Sequence, residues 1–397
     1  MRSSDTSLPG VSYLAIMALL TSIGALTTDI MLPALGIIGR DLGVANVNST
    51  TLVVTAFFLG MAIGQLLVGP LADSYGRKPV VLGGYVVFII GCLLSMLADS
   101  WILMVAARVL QGVAAAAPRV VVVVIVRDEY RGRVMARIMS IIMAVFILTP
   151  ILAPLLGQGL IYMGGWRATF AGLIIVALPT ALWFRHSIRE TLPMARRRPF
   201  TLRAIGEGII QVCRSRVTVI YMIAMGFISG PFIGYLGSAR QIFQDIYGVG
   251  DMFVIYFAVG SISAGAASLL NARLVMRFGM RRLTGIAIAA LTALSGGLWV
   301  WTLPGGMVDF ATFMAWQIAS VFCIGMIFGN MQAIAMEPLG HIAGLGAAIF
   351  GAGSTFISLP LSWMVSGHFD GTVMPLIIGF TIMGAITLVM MVVAGRR

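Results

Sequence analysis

Between Ala18 and Gly36 the sequence is almost wholly apolar, and it is interrupted there by one carboxylate, Asp29. An acid in such a stretch can take up and release a proton. Left dry and charged in hydrocarbon it costs several kcal/mol unless it is paired or hydrated. At about 100° per residue, Ala18, Ser22, Ala25, Asp29, Pro33 and Gly36 share one helical stripe, so the charge is expected among small side chains, flanked by Leu26 and Leu32. Two readings stay open on the residues alone: a proton-handling site, or a packing aspartate held by a buried partner. Two cations, Arg108 and Arg119, lie in a second apolar stretch. With Gly112 and Ala115 they fall on one side of a helix, about 16 Å apart along its axis. Arg108 either engages a carboxylate or packs against backbone carbonyls. Arg119 either attracts an anionic or strongly polar ligand group or pairs with a neighbouring helix carbonyl.

Helices that cross a bilayer must position these groups. The 397 residues are 59% hydrophobic and 10% charged, with a mean hydropathy of +1.02, far from soluble-domain usage. Apolar runs of span length recur along the whole chain, too continuous for the alternating strands of a barrel. The expected fold class is therefore all-α integral membrane. Twelve transmembrane helices are predicted, at about 12 to 38, 50 to 71, 79 to 98, 100 to 126, 133 to 161, 167 to 185, 216 to 238, 251 to 273, 281 to 302, 308 to 335, 343 to 367 and 373 to 394. The first is read as a retained span, because it is longer than a signal-peptide core and no small-residue cleavage pattern follows it. The longest polar interruption divides the chain into a six-helix bundle at 1–185, a cytoplasmic linker at 186–215 with a short amphipathic segment near 200–215, and a second six-helix bundle at 216–397.

With the N-terminus cytoplasmic, only Arg40, Arg167 and Arg240 of the 26 Lys and Arg face outside, and Arg108 and Arg119 lie within a span; the others are cytoplasmic. This is the positive-inside pattern, and it places both termini in the cytoplasm. The basic excess is thus topological and excludes nucleic acid as the expected partner. Arg196, Arg197 and Arg198, just before Pro199, are expected against anionic lipid headgroups. Cys92 and Cys323 lie inside apolar runs and Cys213 in a basic loop, so no disulfide framework is expected. No His/Cys cluster points to a metal, no phosphate loop to a nucleotide, and no nucleophile with a base to an enzyme. No cofactor is expected.

The turn Gly69-Pro70-Leu71-Ala72-Asp73-Ser74-Tyr75-Gly76-Arg77-Lys78-Pro79 closely resembles the signature loop of major facilitator superfamily transporters. Gly69 would let two helices approach, Gly76 permits a tight turn, and Asp73 can sit near a helix N-terminus or pair with Arg77. The resemblance implies two six-helix halves around a central cavity and makes Gly69, Asp73, Gly76 and Arg77 a conformational latch. A degenerate copy follows the eighth span at Arg277-Phe278-Gly279-Met280-Arg281-Arg282, with Met276 where the first copy has Asp73.

Arg108-Val109-Leu110-Gln111-Gly112 is similar to the proton-coupling helix motif of that superfamily. Asp29 and Arg108 have matching depths in their spans. If both helices face the cavity, as the resemblance implies, a direct or water-linked pair would satisfy both charges. Ser140, Thr149, Ala153, Pro154, Gly157 and Gln158 follow the spacing of the antiporter signature, with small residues in place of its early glycines. There Ala153, Pro154 and Gly157 would kink and pack a helix closely. Thr28 to Leu35, Ile125-Val126-Arg127-Asp128 and Gly165-Trp166-Arg167 look like the bicyclomycin and chloramphenicol resistance group of twelve-span drug/proton antiporters. That group often carries a cation where this chain has Val123, and Arg119 could replace it.

The second half has no acid inside a span. Its polar candidates for a substrate site include Tyr221, Tyr235, Gln317 and Asn330, beside Met225, Phe232, Met326 and Phe328; on the first half Asp29 and Arg119 would also meet substrate. The resemblance implies proton-coupled efflux of small amphipathic drug-like molecules, such as phenicols or bicyclomycin-like compounds, across the bacterial cytoplasmic membrane. Its partners would be a small-molecule substrate, protons and the lipid bilayer, with the chain acting as a monomer. A proton symporter, an exporter of an endogenous metabolite and a non-transporting membrane sensor remain alternatives.

Overall fold

The computed structural model describes residues 9–130, 132–197, 199–303 and 306–395; Arg198 lies outside the described residues. The helices in chain order are α1 (Val11–Asp29), α2 (Leu35–Asp41), α3 (Leu52–Tyr75), α4 (Arg77–Met96), α5 (Trp101–Glu129), α6 (Gly132–Ser187), α7 (Leu202–Arg214), α8 (Arg216–Arg240), α9 (Phe253–Phe278), α10 (Met280–Thr302), α11 (Phe310–Met336), α12 (Ala343–Ser366) and α13 (Met374–Gly395).

Eleven helical stretches among the described residues are long and apolar enough to cross a membrane. The longest bends inside α6 at Gly164 and Gly165, the latter at φ 68°. It makes two spans, which gives the expected twelve. α7 is too short and too polar on one side to cross, and it occupies the predicted amphipathic segment.

The first span is not one continuous helix. α1 ends at Asp29, a 3-10 turn covers Leu32–Ala34, and α2 begins at Leu35. Pro33 explains the break: it has no N–H to give, and in a continuing helix its ring would strike the Asp29 carbonyl four residues back. The stripe expected from Ala18 to Gly36 therefore holds only as far as Asp29. Beyond the break, a Cβ on Gly36 would meet the Arg240 guanidinium.

The chain divides into two compact units, one running up to Met31 and resuming over Ala56–Gly208, the other made of Leu32–Thr55 and everything from Ile209 on. In the first unit α5 is gripped through small residues. A Cβ on Gly60 or Gly64 of α3 would meet the Val109 or Val113 carbonyl, and one on Gly91 of α4 would meet the Gln111 amide at 3.2 Å. Close backbone approach of this kind is how helices pack where lipid supplies no hydrophobic drive.

In the second unit α8 packs along α12 at Gly226, Gly230 and Gly234. An aromatic cluster centred on Phe243 joins Phe253, Tyr256, Phe310 and Phe313. The segment Leu32–Thr55 is fastened into this unit. Asn48 Nδ2 donates to the Gly367 and Phe369 carbonyls at 3.2 and 2.9 Å, and Gln241 Nε2 donates to Asn48 Oδ1 at 3.3 Å.

Candidate functional site

Asp29 is 5% exposed at the C-terminal end of α1. Among the described residues its carboxylate has neither an ion pair nor a hydrogen-bond partner. The neighbouring hydroxyls are turned inward to their own helix: Thr27 donates to the Ile23 carbonyl at 2.6 Å and Thr28 to the Gly24 carbonyl at 3.2 Å. α6 closes on this end of α1. A Cβ on Gly157 would run into the Ile30 carbonyl, and Ala153 and Pro154 are buried on the same helix. The expected close packing at Ala153, Pro154 and Gly157 therefore sits one residue from the carboxylate.

Arg108 is fully buried. Its guanidinium lies over the Phe57 ring at 4.7 Å and donates to Gln111 Oε1, while Gln111 Nε2 donates to Ser95 Oγ at 3.2 Å. No direct ion pair with Asp29 forms in this structure. Arg108 takes the neutral Gln111 one turn away on its own helix, which costs no rearrangement of α1. Arg119 is exposed, and its Nη1 lies 3.3 Å from Met61 Sδ. Met61 also faces Gly24 of α1, where a Cβ would meet Met61 Cε at 3.3 Å. One thioether thus stands between the helix of Asp29 and the side chain of Arg119.

In the second unit the four substrate candidates separate into two levels. Gln317 Nε2 donates to Tyr235 OH at 2.9 Å, and the Tyr235 ring stacks on Phe257 at 6.1 Å. Phe232 and Phe328 meet edge to face beside them. Asn330 lies about 20 Å further along α11 and exchanges amide hydrogen bonds with Asn271 at 3.0 and 2.8 Å. Tyr221 is buried toward that same end, where Thr218 of α8 donates to the Ala335 carbonyl. Asn271 escaped sequence reading because a lone amide near a helix end carries no periodic signal.

The turn at Gly76 is built as expected in part. Gly76 adopts φ 106°, a conformation other residues rarely take. Arg77 is buried and pairs with Asp73, and its Nε reaches Asp128 Oδ2 at 3.4 Å. The N-terminus of α4 is served not by Asp73 but by Glu190, a residue missed in the sequence. Its carboxylate accepts from the Arg77 and Lys78 main-chain N–H groups at 2.9 and 3.0 Å and from Leu192 N at 2.9 Å. A negative group at a helix N-terminus is favoured, and an isolated acid after a basic helix end was the available signal. Gly69 has open space where a Cβ would lie. Among the described residues nothing lies within 4 Å of that point, in place of the close approach expected there.

The degenerate copy keeps the same backbone device, with Gly279 at φ 78°. Arg281 pairs with Glu337 at 3.2 Å, and Arg277 and Arg282 flank the Phe278 ring. In both copies a cation at the start of one helix meets an acid at the end of the next. At the opposite end of α11 the Thr312 hydroxyl, with the Thr312 and Ala311 main-chain N–H groups, holds the Asp309 carboxyl below the usual carboxylate range. Burial, with Asp309 nearby, pushes the Tyr247 phenol up to about 12.

A family model described as Major Facilitator Superfamily matches residues 17–359. A bicyclomycin resistance protein homolog of Haemophilus influenzae is 28% identical over 346 residues, 86% of this chain and 85% of that protein. A chloramphenicol resistance protein of Pseudomonas aeruginosa is 26% identical over 360 residues, 86% of this chain and 79% of that one. Among solved structures, a D-xylose-proton symporter superposes with a TM-score of 0.77 at 16% identity, covering 96% of both chains.

Proposed function

Because this chain belongs to the Major Facilitator Superfamily and is a multi-pass membrane protein rather than an enzyme, we propose that it exports small amphipathic drug-like molecules, of the phenicol or bicyclomycin kind, in exchange for protons. The membrane is the bacterial cytoplasmic membrane, with both termini on the cytoplasmic side. The names of the relatives support the cargo class, and the distribution of Lys and Arg supports the orientation.

One observation carries the proton half of the reading: Asp29 is buried within a span and makes no ion pair or side-chain hydrogen bond among the described residues. A dry anion there is costly; a proton, or water in an open state, removes the cost. In the exchange cycle Asp29 takes a proton from the outside-facing state and releases it to the inside-facing state, while the two halves alternately expose one site. Arg108 sets the local charge balance, Arg119 draws polar parts of the cargo, and Tyr235 with Gln317 offers an aromatic wall with one amide.

Asp29→Asn keeps the size and polarity of the side chain and removes its proton exchange. The variant is expected to insert normally and to lose transport driven by a pH gradient in vesicles of known orientation. Gradient-driven efflux at the wild-type rate in that variant would falsify the coupling. Proton movement in the same direction as cargo would instead make the protein a symporter.

A further inference from the structure

We propose that a cleft between the ends of α4 and α6 holds the headgroup of an anionic phospholipid. The cleft has a volume of about 500 Å³ and is lined by Lys78, Pro79 and Leu82 of α4, Arg185 and His186 of α6, and Glu190 and Arg197 of the following segment. Its location is that of the lipid–water boundary. α4 and α6 pack on each other, and both expose apolar side chains just beyond the cleft: Val86 and Ile90 on α4, Leu178 and Leu182 on α6. Trp183, 39% exposed, stands two residues before Arg185, and aromatic residues of this type gather at the headgroup level. The cleft is therefore open to the bilayer at the depth where phosphates lie.

Its chemistry matches a lipid phosphate rather than water alone. Lys78, Arg185 and Arg197 face a single acid, Glu190, and that acid is already fixed by the Arg77, Lys78 and Leu192 main-chain N–H groups. Among the described residues the buried Arg197 Nε has no hydrogen-bond partner, and Arg197 Nη2 lies against Gly76 beside Glu190. A phosphodiester in the cleft would accept from this arginine and from Lys78 and Arg185 in charge-assisted bonds. Pro79 and Leu82 give its glycerol and upper acyl carbons an apolar floor. Because Glu190 also caps α4 at Arg77, the bound lipid would brace the turn at Gly76.

The test needs no cargo and does not depend on the transport reading. The full chain, delipidated in neutral detergent, is titrated with phosphatidylglycerol, with phosphatidylcholine and with inorganic phosphate, and thermal unfolding and retained lipid by native mass spectrometry are read. Phosphatidylglycerol is expected to raise the unfolding temperature by on the order of 2–4 °C and to remain bound as one lipid. The lipid-specific gain should vanish in the Lys78→Gln/Arg185→Gln variant and persist in Arg203→Gln/Arg214→Gln, which removes the same charge from α7. Leu82→Trp, which fills the floor and leaves every charge in place, should also lose the lipid and covers the case in which the double variant does not fold. Equal shifts in the two double variants would mean diffuse surface electrostatics and overturn the site. An equal response to inorganic phosphate would make it a soluble-anion site, and an equal response to phosphatidylcholine would remove the charge recognition.

Discussion

The two units solve the problem of polar groups inside a membrane in opposite ways. The first carries ionisable side chains within its spans: Asp29 without a partner among the described residues, Arg108 on Gln111 and Phe57, and Arg119 beside Met61. The second carries neutral pairs: Tyr235 with Gln317, Asn271 with Asn330, and Ser295 accepting from Trp316 Nε1 at 3.1 Å. Charges respond to a proton gradient and are costly to hold in hydrocarbon; amides and rings are cheaper and less particular about what lies against them. Under the proposed exchange of cargo for protons, the difference would give energy coupling to the first unit and accommodation of varied cargo to the second.

The sharpest way to break that division is to neutralise one group in each unit. Arg108→Gln removes a buried cation, its ring contact and its bond to Gln111, and is expected to abolish pH-driven transport of every cargo. Gln317→Leu is expected to change the apparent KM differently for different cargoes while proton movement per cargo stays the same. Transport assays over a cargo panel, with proton flux recorded in parallel, check both. If Gln317→Leu uncouples protons, or Arg108→Gln merely alters selectivity, the division fails. A smaller effect is expected from Gly157→Val. The added carbons meet the Ile30 carbonyl, and overpacking of this kind costs about 1–3 kcal/mol. The thermal unfolding temperature should fall, and the loss of transport should exceed that of Gly172→Ala. There the added methyl meets the flexible Leu160 side chain rather than backbone.

How much of this was legible follows from which interactions are local. Span lengths, the Gly164–Gly165 bend between two predicted helices and the amphipathic α7 rest on composition and nearest neighbours, and the sequence reading anticipated them. The break after Asp29 was not anticipated, although Pro33 is plain in the sequence. Pro70, Pro118 and Pro154 all sit inside continuous helices, so a proline in a span does not by itself decide whether the helix ends. Site residues divide the same way. Asp73 with Arg77 is a one-turn pair and was foreseen. Glu190 reaches Arg77 across more than a hundred residues, and Asn271 reaches Asn330 across 59; no pattern along the chain encodes either pairing, although Glu190 stands out as an isolated acid. The second level of amides on α11 therefore emerged only with the fold.

The repeated turns give the last and smallest separation of the two units. Arg77 has a side chain 7% exposed and serves two carboxylates, Asp73 and Asp128, so Arg77→Gln leaves two acids without their cation in a partly closed site. With Asp73 itself half exposed, water takes over some of the loss, and about 1–3 kcal/mol of stability is the expected cost. Arg281 and Glu337 are 57% and 46% exposed, and an ion pair in that setting contributes under about 1 kcal/mol and weakens further with salt. Arg281→Gln should therefore barely move the unfolding temperature, and raising the ionic strength should erase what difference there is, while the Arg77→Gln deficit persists. Equal losses in the two variants would mean that the degenerate copy bears as much of the fold as the complete one, and that the asymmetry between the units stops at their interiors.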